Sequence, residues 1–226
     1  MGNPRQAYST RLNQLCERRG VRLTPEQLDG LVRYLELLLQ WQRWLNLSGL
    51  RQAEQLIDVL IVESLDFLQG DLLPRTARLL DLGTGAGVPG IPLAICAPHL
   101  RLTFLDRSQK KMTFVRRVVS HLHLRDCAFE SVPAEMLARR LAPEDHFEAV
   151  VSRGVGRVTH LLSLAAPLLR PGGVLVLRKP RHTPELQEAA EPLASDIWCE
   201  VQTEPLPAAP GWMLLSVTRG HSALAL

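Results

Sequence analysis

The chain has 226 residues, 46% of them hydrophobic and 22% charged, with a formal net charge of +3. That composition suits one mid-sized globular domain, or one domain with a small extension, and excludes a disordered or fibrous chain. No apolar run approaches the length of a membrane span, and Met1-Gly2-Asn3-Pro4-Arg5-Gln6 lacks the apolar core of a signal peptide. The expectation is a cytoplasmic protein without membrane contact. Cys16, Cys96, Cys127 and Cys199 lie too far apart for a metal knuckle or a redox pair and are expected to be reduced, mostly buried thiols. His121 and His123 are expected at the end of a helix, where a spacing of two puts them on different faces, so no metal site is expected.

Residues 1–75 read as a helical segment and 76–226 as a second unit. Thr24-Pro25-Glu26-Gln27 carries the signals of a helix start: a capping residue, proline in the first turn and glutamine at the capping-box position. Leu28, Leu31, Val32, Leu35, Leu38 and Leu39 then form one apolar face, and the helix is expected to run towards Trp41 and Trp44. A second helix is expected over residues 54–68. From Ala77 the pattern becomes strand, loop, helix. Strands are expected at 77–82, 102–105, 127–130, 147–151 and 174–177, and helices at 91–97, 109–121, 134–141 and 158–169, the last closed by Pro171-Gly172-Gly173. This alternation predicts an α/β fold, a mostly parallel sheet with helices on both faces. Residues 184–193 read as a helix. Residues 197–202 and 212–217 read as strands joined by a loop too short for a crossover helix, so the sheet should end in an antiparallel pair.

The first strand runs into Asp81-Leu-Gly83-Thr84-Gly85-Ala-Gly87. Glycines at this junction let the chain turn sharply and let a ligand approach the backbone. Asp81 supplies a carboxylate suited to a ligand bearing an ammonium group, such as S-adenosylmethionine, held through a water. Gly85-Ala-Gly87-Val-Pro89-Gly90 also spells the dinucleotide fingerprint G-x-G-x-x-G. Asp106, at the end of the second strand, suits the ribose hydroxyls of either cofactor. The acidic Asp81 before the glycines, the antiparallel sheet end and the lack of length for a second substrate domain favour S-adenosylmethionine over a nicotinamide.

Ala134 and Glu135 follow the third strand, where backbone amides would read adenine. Ser152-Arg153 follow the fourth, facing the reacting end. Basic residues cluster at Arg101, Arg107, Lys110, Lys111, Arg116 and Arg117, and again at Arg178, Lys179 and Arg181. Such clusters are compatible with a nucleic-acid partner and equally with solvated faces.

These motifs make the chain resemble the bacterial 16S ribosomal RNA guanine-N7 methyltransferases, also called glucose-inhibited division protein B. The resemblance is strongest over Asp81-Leu-Gly-Thr-Gly-Ala-Gly-Val-Pro-Gly-Ile-Pro-Leu-Ala-Ile95, including Pro89 and Pro92. It extends to Asp106 with Lys110 and Lys111, to Ser152-Arg153, to Lys179, and to Trp41 or Trp44 with Asn46-Leu47-Ser48. It implies a Rossmann-like class I methyltransferase fold with an N-terminal helical extension. It also implies methyl transfer from S-adenosylmethionine to N7 of a guanine in small-subunit ribosomal RNA, without a general base. The cofactor would lie against Asp81, Gly83, Thr84, Gly85, Gly87, Pro89, Asp106, Ala134, Glu135 and Arg153. Arg153 and Lys179 would position the substrate, and Lys110, Lys111, Arg178 and Arg181 would meet the RNA. The partner would be ribosomal RNA or the small subunit, met by a monomer. Val59-Leu60 and Gly211-Trp212 depart from the family, which carries basic pairs at both places. The alternatives are a methyltransferase of the same fold with another acceptor and a non-catalytic RNA-binding relative.

Overall fold

The structure is a computed structural model that describes residues 3–74, 77–154, 156–181 and 197–221. Two helices open the chain. α1 (Pro4–Arg18) starts at Asn3, whose side chain accepts from the Arg5 amide. α2 (Pro25–Trp41) starts with the expected capping box: Thr24 Oγ1 accepts from the Gln27 amide at 3.2 Å, and Gln27 Oε1 accepts from the Thr24 amide at 2.9 Å. Its apolar face buries Leu31, Val32, Leu35 and Leu38, and also Tyr34. The helix stops at Trp41, and Trp44 lies in the turn that follows.

The expected helix over 54–68 is instead three pieces. A single α turn, α3 (Ala53–Gln55), widens into a π-helical stretch at Leu56–Ile61 and then tightens into a 3-10 stretch at Val62–Leu68. The changes of pitch let the segment bury Leu56, Ile57, Leu60 and Ile61 and then Ser64, Leu65, Asp66 and Phe67.

The sheet follows with strands β1 (Arg78–Leu82), β2 (Arg101–Leu105), β3 (Cys127–Glu130), β4 (Phe147–Ser152), β5 (Leu169–Pro180), β6 (Trp198–Pro205) and β7 (Trp212–Arg219). Their order is β3-β2-β1-β4-β5-β7-β6. β1 to β5 pair in parallel, while β7 runs antiparallel to both β5 and β6. The connecting helices are α4 (Gly90–Cys96), α5 (Gln109–His121), α6 (Ala134–Ala138) and α7 (Val158–Ala165). α7 is shorter than expected: it tightens at Ala166–Leu168, where Pro167 has no amide to continue the ladder. β5 then begins at Leu169 and carries Pro171-Gly172-Gly173 within its own length. The helix expected over 184–193 lies outside the described residues.

Alternate residues of β1 divide two apolar layers. Leu79 joins the layer that holds α1, α2, residues 56–67, α4 and α5, and Leu80 and Leu82 join the layer that holds α6 and α7. The N-terminal helices and the first face of the sheet therefore share one core, on either side of the division expected near residue 75. The sheet is mostly parallel, ends in an antiparallel pair and carries helices on both faces, as the alternation predicted. Among the described residues no helix is long and apolar enough to cross a membrane. Of the thiols, Cys16 is buried, Cys96 and Cys127 half-buried and Cys199 exposed, so the expectation of mostly buried cysteines holds poorly at the C-terminal hairpin. Burial pushes the Cys16 and Cys96 thiols up to about 12, which keeps them protonated and unreactive.

Candidate active site

A cavity of about 870 Å³ opens at the carboxyl edge of the sheet. This is where open α/β sheets bind ligands, because the loops that leave the strands diverge there. Its floor is the glycine loop. The Gly83 and Thr84 amides donate to the Leu105 carbonyl at 2.8 and 3.0 Å, which ties the loop to the end of β2. Gly85 takes a positive φ of +54°, and a Cβ there would meet only the Gly83 carbonyl, at 3.8 Å. The loop thus presents bare backbone to the cavity. Its other side is held by Tyr34 of α2, whose hydroxyl donates to the Ala86 carbonyl at 2.8 Å in a fully buried contact.

Two carboxylates brace the loop from different directions. Asp106 lines the cavity; its Oδ2 accepts from the Gly85 amide at 3.0 Å and its Oδ1 from the Ser108 amide at 2.8 Å. Asp81 is fully buried beneath the loop. Its Oδ2 accepts from Thr84 Oγ1 at 2.6 Å and from the Gly90 amide at 2.8 Å. Its Oδ1 has no hydrogen-bond partner. Burial pushes the Asp81 carboxyl up to about 7, against the opposing pull of the bonds from Thr84 and Gly90.

The walls come from both halves of the chain. Val132, Pro133, Ala134 and Glu135 form one side, and Arg153 and Gly154 the far end. Leu47, Ser48 and Gly49 reach in from the N-terminal segment, and His160 and Leu164 from α7. Arg153 donates to Glu63 Oε2 at 2.9 Å. Glu63 also meets Arg178 at 3.2 Å, Arg178 Nε donates to Asp66 Oδ2 at 2.7 Å, and Arg19 Nε donates to Asp66 Oδ1 at 3.0 Å. The result is a chain of alternating charges running from the protein interior to the cavity wall. Burial raises the Glu63 carboxyl, while Arg178 and Arg153 pull it back down; burial likewise lowers Arg153, with Glu63 opposing. Among the described residues no group of histidine, cysteine and carboxylate side chains is arranged to hold a metal ion.

A sequence model of the family described as rRNA small subunit methyltransferase G matches residues 27–205, most of the chain. The chain belongs to that family. The ribosomal RNA small subunit methyltransferase G of Lachnoclostridium phytofermentans is 34% identical over 171 residues, covering 75% of this chain and 71% of its relative. That of Streptococcus sanguinis is 32% identical over 190 residues, covering 84% and 80%. Among solved structures, an S-adenosylmethionine-dependent O-methyltransferase from Thermotoga maritima superposes with a TM-score of 0.54 at 14% identity, over 76% of this chain and 72% of that one. A tRNA (m1A58) methyltransferase from Aquifex aeolicus gives 0.52 at 14% identity, over 71% and 69%. At such identity these two likenesses speak for the fold alone.

In this member of the methyltransferase G family, the residues singled out in the sequence divide by position. Gly83, Thr84, Gly85, Asp106, Lys111, Ala134, Glu135 and Arg153 line the cavity together. Asp81, Gly87 and Pro89 stand behind its wall. Gly87 has a φ of +93°, and a Cβ there would fall 2.6 Å from Ile91 Cγ1, so its glycine serves the packing of α4. Pro89 follows a cis peptide and caps α4. Lys110 turns to a neighbouring groove. Lys179 and Arg181 lie near the end of β5, where Lys179 Nζ donates to the Gly156 carbonyl at 3.4 Å and Arg181 Nη1 to the Pro210 carbonyl at 3.5 Å.

Arg178 is a correction. Expected on a face that meets RNA, it is buried against Asp66 and Glu63, and the Trp212 ring covers its guanidinium at 4.1 Å. Its place in β5 directs its side chain under the N-terminal segment, opposite to Lys179 beside it. The Trp212 ring thus lies as a lid on this cation. Sequence reasoning missed Tyr34, Glu63 and Asp66. The only local signal for the two acids was charge within the apolar stretch Leu60–Phe67, and Tyr34 looked like one more member of an apolar face.

Proposed function

We propose that this protein transfers a methyl group from S-adenosylmethionine to N7 of a guanine in small-subunit ribosomal RNA. The observation that carries the cofactor reading is the bare glycine backbone at Gly83–Gly85, bounded by Asp106 on one side and Ala134 and Glu135 on the other. The residues fit the ligand. Asp106 lines the cavity as a carboxylate suited to ribose hydroxyls, and Asp81 holds the loop from beneath through Thr84 and Gly90. Membership of the methyltransferase G family supports ribosomal RNA as the acceptor.

S-adenosylmethionine supplies an activated methyl on a positively charged sulfur. Guanine N7 carries an exposed lone pair and has no proton to lose, so no side chain need act as a base. The chain's own task is to hold the acceptor in place, and orientation of this kind accounts for large accelerations by itself. Arg153, steadied by Glu63, is the cation on the wall best placed to orient the base or its phosphate. Lys111, also on the cavity lining, adds charge for the RNA backbone.

The test is transfer of labelled methyl from S-adenosylmethionine to 16S ribosomal RNA from cells without this modification, followed by mapping of the labelled nucleotide. Label confined to N7 of one guanine is the expected result. Cofactor binding with unlabelled RNA would assign the protein another acceptor.

A further inference from the structure

A second depression, about 620 Å³, runs beside the cavity. One wall is the end of α2 and the turn after it, with Trp41, Trp44 and Leu45; the other is the outer face of α5, with Lys110, Arg117 and His121. These α5 residues recur at helical spacing and form one stripe, opposite the buried stripe of Met112, Val115 and Val119. Among the described residues, no salt bridge joins Lys110 or Arg117 to a carboxylate. Trp41 is half-buried and tilted against Phe114 with ring centroids 5.6 Å apart, which fixes that wall. Trp44 is different: 85% of it is exposed. A tryptophan left in solvent on the wall of a groove that also carries Lys110 and Arg117 is not needed by the core.

The groove and the cavity have no lining residue in common, but the same two segments border both. Lys110 faces the groove while its neighbour Lys111 lines the cavity, and the turn that carries Trp44 continues directly into Leu47, Ser48 and Gly49 on the cavity wall. A positive track with an aromatic platform is the arrangement by which proteins hold single-stranded nucleic acid, the bases stacking and the phosphates meeting cations. We infer that the α2–α5 groove is the track for single-stranded RNA flanking the target nucleotide, with one base stacked on Trp44 and phosphates on Lys110 and Arg117. The inference rests on the reading of RNA as the substrate and adds where, beyond the reacting base, the strand lies.

The test uses the full chain and three probes: a fluorescein-labelled 12-nucleotide oligoadenylate, protein-free undermethylated 16S ribosomal RNA, and undermethylated small subunits. Trp44→Ala is expected to weaken oligoadenylate binding by roughly five- to fifty-fold. It should raise KM for protein-free RNA by a similar factor while leaving affinity for S-adenosylmethionine unchanged. Trp44→Phe keeps a stacking face and should restore most of the loss. The pair Lys110→Gln and Arg117→Gln together should flatten the slope of log affinity against log salt by about 1.4, for two phosphate contacts to a single strand. Unchanged oligoadenylate binding in Trp44→Ala overturns the inference. So does a KM effect seen only with assembled subunits, which would make the groove a dock for a ribosomal protein. Wild-type protein that binds the oligoadenylate through Trp44 but leaves ribosomal RNA unlabelled would instead sink the acceptor assignment and support the groove.

Discussion

Arg178 Nε lies 2.7 Å from Asp66 Oδ2, and both side chains are buried. The pair joins β5 to the 3-10 stretch of the N-terminal segment, and through Glu63 it continues to Arg153 at the cavity. Removing one member of such a pair strands the other's charge in a medium that solvates it poorly. Asp66→Ala is therefore expected to cost about 3–5 kcal/mol of folding stability, measured by urea unfolding.

Glu63 has a different place in the same chain of charges, because it holds Arg153, an arginine that lines the cavity. Glu63→Gln keeps the shape but gives up the charged bond to Arg153. Methyl transfer to RNA is expected to fall roughly tenfold, the value of one charge-assisted hydrogen bond of about 1.5 kcal/mol. Affinity for S-adenosylmethionine, measured by calorimetry, should stay within about twofold on the same reasoning. Equal losses in both would place Arg153 on the cofactor instead.

The Asp81 carboxyl is raised from its ordinary 3.8 to about 7 by burial. Between those two values the folded chain holds a proton that the unfolded chain has released. Stability contributed at this site is thus fully present below about pH 4, falls as pH rises towards 7, and is flat above. Asp81→Asn removes the titration while its amide oxygen can still accept from Thr84 and Gly90. Its unfolding free energy, compared with wild type across pH 4–8, should show less decline with pH. Parallel curves for the two proteins would rule out a raised Asp81.

Tyr34→Phe deletes the hydroxyl that donates to the Ala86 carbonyl at 2.8 Å. The carbonyl is left without its partner in a buried place, at a cost of about 1–3 kcal/mol. Because Ala86 belongs to the glycine loop, the loss should also appear as faster amide exchange at residues 83–88 and as weaker cofactor binding.

Gly85 in the loop and Gly90 at the start of α4 are expected to respond differently. A Cβ on Gly90 would sit 2.5 Å from Phe104 Cε1 and 2.6 Å from Asp81 Oδ2, so Gly90→Ala should destabilise the fold by about 1–3 kcal/mol. A Cβ on Gly85 meets almost nothing, and Gly85→Ala pays only backbone strain of about 1–2 kcal/mol. Its larger effect should be on cofactor affinity, since the new methyl projects where the ligand would approach.

The amino-acid sequence by itself determined the alternation of strand and helix from Ala77 onward, the capping box of α2, the glycine loop and the edge of the sheet on which Asp106, Ala134 and Arg153 emerge. These features are written in near neighbours: periodicity of two or of 3.6, a capping residue three positions from its partner, glycines where a strand must turn into a helix. The break of residues 53–68 into three pitches was not legible, because a continuous apolar pattern fits an α-helix until packing against α1 and α4 selects otherwise. Nor was the difference between Lys110 and Lys111, adjacent residues that the turn of one helix sends to two separate depressions. Above all, nothing local distinguished Arg178 from Lys179. One is buried between Asp66, Glu63 and Trp212 and the other stays near the surface, because the alternation of β5 places one side chain under the N-terminal segment and that segment happens to bring two carboxylates to meet it. Charge pairing over more than a hundred residues of chain is decided only when the core has closed, since the cost of burying an ion depends on which partner arrives beside it.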